Sequence, residues 1–269
     1  MLIQSVDRAA DIISLFSSSR TFLGITEIAS ALKLNKGTVW GLVTTLEKRG
    51  FLQQDQSTRK YTIGPKLYEL GMVYVACLEI NSKASRLAHR LASRTGLNAR
   101  IGIWEEGTVL ITLLALPRAE DSMSHQIGPR TPAYCSGVGK ALLAYLSPDE
   151  LKTYLKNTPL IRHTPTTLVS PEKLLKDLKK TRERGYAIGR GEMIPGVAAL
   201  GAPVFGRRQE LAGAISISGS PHAVLGDRLE KLADELVRTA AEISREMGYY
   251  LQAGGDNPQN ELTYARNAY

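Results

Sequence analysis

The residues best suited to chemistry lie in one stretch, TPAYCSGVGKALLAYL (131–146), where a serine, two close glycines and a lysine precede a run of helical composition. That order suggests an anion cradle. A Walker loop, however, needs glycine five positions before Gly139 and a hydroxyl residue after the lysine, where this chain has Tyr134 and Ala141. A dinucleotide fingerprint needs glycine three positions after Gly139, and the residue there is Leu142. What survives is more general: Ser136, Gly137 and Gly139 let a ligand approach the backbone, and the N–H groups opening the following helix favour an anion, a small carboxylate as readily as a phosphate.

A second candidate is AISIS (214–218), where strand alternation puts Ser216 and Ser218 on one face and Ile215 and Ile217 on the other. The serines either meet a ligand or simply face water while the isoleucines fill the core. Catalytic groupings are thin. His89, His125, His163 and His222 are scattered, and no motif fixes any of them near Cys135, which reads as pocket lining or structure rather than as a nucleophile. Cys77 and Cys135 form neither a disulfide framework nor a metal-ligand pair, so no metal, no cofactor and no catalytic residue is expected.

The elements that must position these groups fall into two regions. In the first, Val6, Ala9, Ile13 and Phe16 recur at helical spacing after Ser5, a candidate N-cap. ITEIASALKL supplies a second short helix, with Thr26 as cap and Ile28, Ala29 and Leu32 facing inward. Asn35 opens a third helix, with Val39, Leu42, Val43 and Leu46 as its apolar stripe and Gly50 as its stop. Two short helices joined so tightly suit a helix-turn-helix entering a major groove. The outer face of the second reads Lys36, Thr38, Trp40, Gly41, Thr44 and Thr45, and QQDQSTRKYTI reads as a hairpin wing carrying Arg59 and Lys60 at its tip. The double-stranded DNA reading outweighs that of a pure protein contact, because neither the hydroxyl-rich face nor the basic tip helps a core.

Pro65 starts a further helix on which Leu67, Leu70, Gly71, Tyr74, Val75 and Leu78 form a wide apolar face. A second copy of the chain is the economical partner for that face, so a homodimer is expected, the competing reading being that it packs back on its own winged head. Next come a helix ending at Gly96, a hairpin around Glu106-Gly107, the glycine loop with its helix, a charged helix SPEKLLKDLKKTRERGY, the strands AALGAPVF and LAGAISISG, and a last helix over about 226–251. Antiparallel strands outnumber any βαβ unit, giving an α+β fold class.

The formal net charge of +8 is spread out: residues 1–80 hold 9 Lys/Arg against 7 Asp/Glu, the remainder 25 against 19. Charge alone therefore argues weakly for DNA, and the case rests on local arrangement. No stretch approaches the roughly 18 apolar residues of a membrane span, and the start lacks the pattern of a secretory signal, so a cytoplasmic protein without membrane contact is expected.

In this order and spacing, ITEIASALKLNKGTVWGLVTTLEKRGFLQQDQSTRKYTIGPKLYELG, RTPAYCSGVGKALLAYLSPDEL, ERGYAIGRGE and GAPVFGRRQELAGAISISGS make the chain resemble the IclR family of bacterial transcription factors over about residues 3–251. The resemblance implies a winged helix-turn-helix (1–64), a linker helix (65–80), a GAF-like effector-binding domain (81–251) and a polar tail (252–269). It also implies dimers that pair into tetramers, and a pocket for a small organic acid. Position by position it points to Gly137 and Val138 in the loop, Ser216 and Ser218 on the strand, and Met123, Val197 and Ala199 around the ligand. Ser136, Gly139 and the nearby acidic Glu192 complete the expected effector set. The chain departs from the family pattern at Gly37-Thr38, where a Ser-Thr pair is common, and at Gly41, where an arginine is common. The expected function is an acid-responsive regulator of operator DNA. The alternative is an enzyme acting on a small carboxylate with an appended winged module.

Overall fold

Asn35 shows how locally the first region is specified. Its Oδ1 accepts the Thr38 amide at 2.7 Å, so the side chain starts α3 (Lys36–Lys48). The computed structural model describes residues 2–117 and 129–250, and the chain divides into two compact units at the Cys77/Leu78 junction. In the first unit α1 (Gln4–Ser14), α2 (Ile25–Leu32) and α3 pack Ile12, Ile28, Val39, Val43 and Leu46 into one core. Lys33, in the left-handed conformation (φ 54°), ends α2 and reverses the chain into α3. Two starts differ from expectation. Ile3 precedes α1, so Ser5 lies inside that helix, and α2 is capped not by Thr26 but by Glu27, whose carboxylate accepts the Gly24 amide at 2.6 Å.

Strands β1 (Leu52–Gln54) and β2 (Tyr61–Ile63) pair antiparallel, Leu52 opposite Ile63, and Leu23 bridges to Tyr61 to hold this hairpin on the helices. Helix α4 (Pro65–Cys77) has no buried residue: Tyr68, Leu70, Met72, Val73 and Tyr74 are all exposed. It ends before residues 78–80 of the expected linker, and Ile80 already belongs to the core of the second unit.

The second unit runs α5 (Glu79–Thr95), β3 (Asn98–Glu105), β4 (Thr108–Ala115), β5 (Arg130–Thr131), α6 (Gly137–Leu143), α7 (Pro148–Asn157), α8 (Pro171–Arg184), β6 (Ala187–Arg190), β7 (Ala198–Phe205), β8 (Leu211–Gly219), α9 (Pro221–Leu225) and α10 (Leu229–Glu246). The strands form one antiparallel sheet in the order β5-β4-β3-β8-β7-β6. Glu106 and Gly107 both have positive φ (50° and 76°), which suits a two-residue turn to the strand twist. Alternation then sorts the sheet's two faces. Ile101, Ile215, Ile217 and Leu200 enter a core with α5 and α10, whereas Val109, Ala187 and Ala214 meet α6 and the helices beyond it. Strands β5 and β6 and helix α9 were not anticipated, the one helix expected within 131–151 divides into α6 and α7, and the last helix is shorter than the expected 226–251.

Candidate functional site

The sheet face toward α6 carries a row of neighbours: Arg100 pairs with Ser216, which pairs with Gly201, and one step along, Ala199 pairs with Ser218. Gly201 makes room for the start of α6, because a Cβ there would lie 2.2 Å from the Gly137 carbonyl oxygen. Gly137 in turn has no space for a Cβ against Ala199 (2.9 Å), nor Gly139 against Ala133 (2.3 Å). The glycines of the loop therefore let backbone approach backbone, setting α6 directly on the sheet.

Between these elements lies a cavity lined by Ser136, Gly137, Val138, Glu192, Val197, Ala199, Ser216 and Ser218, together with Arg100 and Cys135. The glycine loop and the serine pair thus meet in one place, and both serines are buried rather than facing water. Gly139, expected in the effector set, does not line the cavity, and its amide is taken by the Ser136 hydroxyl at 3.2 Å. Ser136 also donates to the Pro132 carbonyl at 2.9 Å, so this hydroxyl is committed to shaping the loop. Met123 lies outside the described residues.

Arg100 was missed from sequence. Its guanidinium is buried and donates to Ser218 Oγ at 2.6 Å, placing a cation in the wall beside both serines. Burial lowers its pKa, yet an arginine stays charged at any physiological pH. The available signal was alternation on β3, where Ile101 and Ile103 face one way and Arg100 the other.

Lys140 holds carboxylates, not a phosphate. Its ammonium is fully buried, 2.9 Å from Glu192 Oε1, 2.8 Å from Glu192 Oε2 and 2.9 Å from Asp177 Oδ2. Only the first contact has hydrogen-bond directionality; the other two are ionic. Glu192 thus lines the cavity as a carboxylate already neutralised from behind. Burial raises its pKa, and the adjacent ammonium offsets only part of that rise. Burial, with the Glu192 charge adding to it, pushes the Cys135 thiol up to about 12, the opposite of what a nucleophile needs.

In the first unit Lys36 and Thr45 are exposed and Thr38 and Thr44 half-buried, while Trp40 is 61% exposed. Thr45 Oγ1 donates to the Gly41 carbonyl at 2.8 Å. The hairpin tip is organised by Asp55, whose Oδ1 accepts from Ser57 Oγ, Thr58 N and Thr58 Oγ1, each at 2.7 Å, bonds that pull its pKa down to about 2. Arg59 is exposed at that tip, but Lys60 turns back to Glu27 at 3.1 Å.

Residues 5–56 match the IclR helix-turn-helix domain, and residues 72–245 match the C-terminal domain of IclR bacterial transcriptional regulators. The chain belongs to the IclR family. It is similar to the HTH-type transcriptional regulator XynR of Escherichia coli (34% identity, 92% of this chain and 98% of XynR) and to BhcR of Paracoccus denitrificans (34%, 94% and 90%). In fold it resembles an IclR transcriptional regulator from Alicyclobacillus acidocaldarius (TM-score 0.81, 27% identity, 92% and 100% coverage) and a Microbacterium hydrocarbonoxydans IclR homologue solved with 4-hydroxybenzoate (0.78, 21%, 90% and 98%). This IclR-family chain is accordingly a DNA-binding transcriptional regulator and not an enzyme. No helix among its described residues is long and apolar enough to cross a membrane.

Proposed function

We propose that the second unit, a GAF-like sensor, binds a small organic acid whose carboxylate is met by Arg100 and the hydroxyls of Ser216 and Ser218, and that occupancy changes how the helix-turn-helix heads engage an operator in the cytoplasm. The observation that carries this reading is the buried guanidinium on the same sheet face as the two serines, in the cavity wall. A planar fork of N–H donors suits a carboxylate. Gly137, Val138, Val197 and Ala199 give the cavity its close backbone and apolar walls, and Met123 belongs to the proposed set from the family resemblance alone.

As lined by the described residues the cavity has a volume of ≈ 50 Å³. At roughly 10–15 Å³ per enclosed water, that is room for a carboxylate group beside Arg100 and the two serines. That a related fold holds 4-hydroxybenzoate supports an acid as the ligand class.

In this reading Lys36, Thr38, Trp40, Thr44 and Thr45 face DNA from α3, and Arg59 does so from the wing. Lys60 joins them only by leaving Glu27. The exposed apolar residues of α4 support a homodimer, itself pairing into a tetramer, so that two α3 helices meet half-sites about 34 Å apart. A change in their spacing worth about 1–3 kcal/mol gives a several-fold to hundredfold response.

Thermal melting against short carboxylic acids and their neutral amides tests the ligand class. The acids are expected to stabilise the protein and the amides to leave it unmoved. Arg100→Gln should weaken acid binding about 10- to 150-fold, the loss of a hydrogen bond to a charged group worth about 1.5–3 kcal/mol. Acids and amides behaving alike in the wild type would refute the assignment.

A further inference from the structure

On α3 the glycine at position 41 has no structural reason to be there. It is exposed, it sits inside a regular helix, and a Cβ built on it meets nothing within 4 Å. Glycine destabilises a helix interior relative to alanine, and the packing of the first unit gains nothing in return. Beside it Trp40 is 61% exposed, although a large aromatic ring normally seeks burial. Helical spacing groups these two with Gly37 one turn earlier and Thr44 and Thr45 one turn later. The buried side of the helix, Val39, Val43 and Leu46, lies opposite.

The chemistry of that face is narrow. Guanine is read most often by the fork of an arginine, or by a lysine, and adenine by the amide of an asparagine or glutamine. Between Gly37 and Glu47 the helix has no arginine, lysine, asparagine or glutamine. Lys36 and Lys48 stand at its two ends. What remains in the middle is an indole, hydroxyls and bare backbone, and the base feature that welcomes an apolar surface is the C5-methyl group of thymine.

We propose that Trp40 and Gly41 form the base-reading surface of this regulator: the indole packs on thymine methyl groups, and the missing side chain at 41 lets the helix backbone sit close to the base edges. Each operator half-site then carries thymines at the step facing the middle of α3. This rests on α3 entering the major groove, and the test separates the two claims.

Duplexes are selected from a randomised library with the full-length protein, and binding is measured on the selected duplex and on one in which deoxyuridine replaces thymidine at the half-site centre. Uracil lacks the methyl group but pairs identically. The wild type is expected to lose about 3- to 5-fold in affinity per contacted thymine, the effect of exposing one methyl group, and Trp40→Ala to be insensitive to the exchange. Gly41→Ala is expected to raise the melting temperature while weakening binding to the selected duplex. Lys36→Ala reports on docking, because loss of a phosphate contact lowers affinity for all sequences and flattens the salt dependence.

If Lys36→Ala weakens binding but uracil exchange, Trp40→Ala and Gly41→Ala leave it unchanged, the thymine reading is overturned and groove entry by α3 stands. If none of the four has an effect, both fall. Trp40→Ala changing the oligomeric state with DNA affinity intact would assign the indole to a protein contact and likewise overturn the proposal.

Discussion

Lys140→Met keeps much of the side chain's length and removes its charge from a fully buried position where it touches Glu192 and Asp177. Deleting one member of a buried ion pair leaves uncompensated charge and costs about 3–5 kcal/mol. For a unit of this size each kcal/mol moves the midpoint by about 2–4 °C, so its melting temperature should fall by roughly 6–20 °C. The loss depends on pH in a definite direction. Burial already holds the Glu192 carboxyl above its ordinary range. A raised folded-state value means that the group contributes stability at low pH and that this contribution is lost as pH rises through that value. Without the ammonium the value moves higher still, so the gap between variant and wild type should widen toward alkaline pH and narrow toward acid, where Glu192 takes up a proton. Adding Glu192→Gln to the variant should recover part of the loss. Differential scanning calorimetry across about pH 5 to 8 checks all three statements. A variant melting within a degree or two of wild type at every pH would refute the view that Lys140 neutralises buried carboxylates.

Two further outcomes follow from the same geometry. Gly201→Ala drives a methyl group to within 2.2 Å of the Gly137 carbonyl oxygen, so it should destabilise the second unit by about 1–3 kcal/mol or more and weaken acid binding as α6 lifts from the sheet; a wild-type melt would show that the contact relaxes freely. In a Cys77→Ser background Cys135 should resist thiol reagents at neutral pH and react only on denaturation, because its thiol is buried and its pKa is pushed up to about 12; rapid labelling of the native protein would contradict that.

Much of this architecture is legible in the sequence where the signal is local. Asn35, the apolar stripe Val39–Val43–Leu46 and the left-handed pair Glu106-Gly107 each act through neighbours a few positions away. The serine pair is legible for a related reason, since alternation alone puts Ser216 and Ser218 on one face. What escapes is the long-range part. Arg100 is buried because β3 lies between β4 and β8, a register that no short stretch contains. Lys140 resembles a phosphate ligand until Glu192, 52 residues further on, is brought beside it. Gly139 looks like part of a ligand cradle, but the space it provides is filled by Ala133. Lys60 looks like a free wing-tip cation until Glu27 folds against it. In each case the residue type announces its chemistry correctly, and only the tertiary partner decides whether that chemistry faces a ligand or the protein itself.

An acid in the cavity can act as a signal only if the cavity and the operator contacts are energetically linked. The most direct measurement is the dissociation constant of a stabilising acid for the full-length protein, taken once in free solution and once with saturating selected duplex present. Linkage requires the acid to change DNA affinity by the same factor by which DNA changes acid affinity. Linkage of this kind predicts a common factor of about 5 to 150, and Arg100→Gln should weaken acid binding about 10- to 150-fold in both conditions. Identical acid affinities in the two conditions, for an acid that binds the wild type, would contradict it.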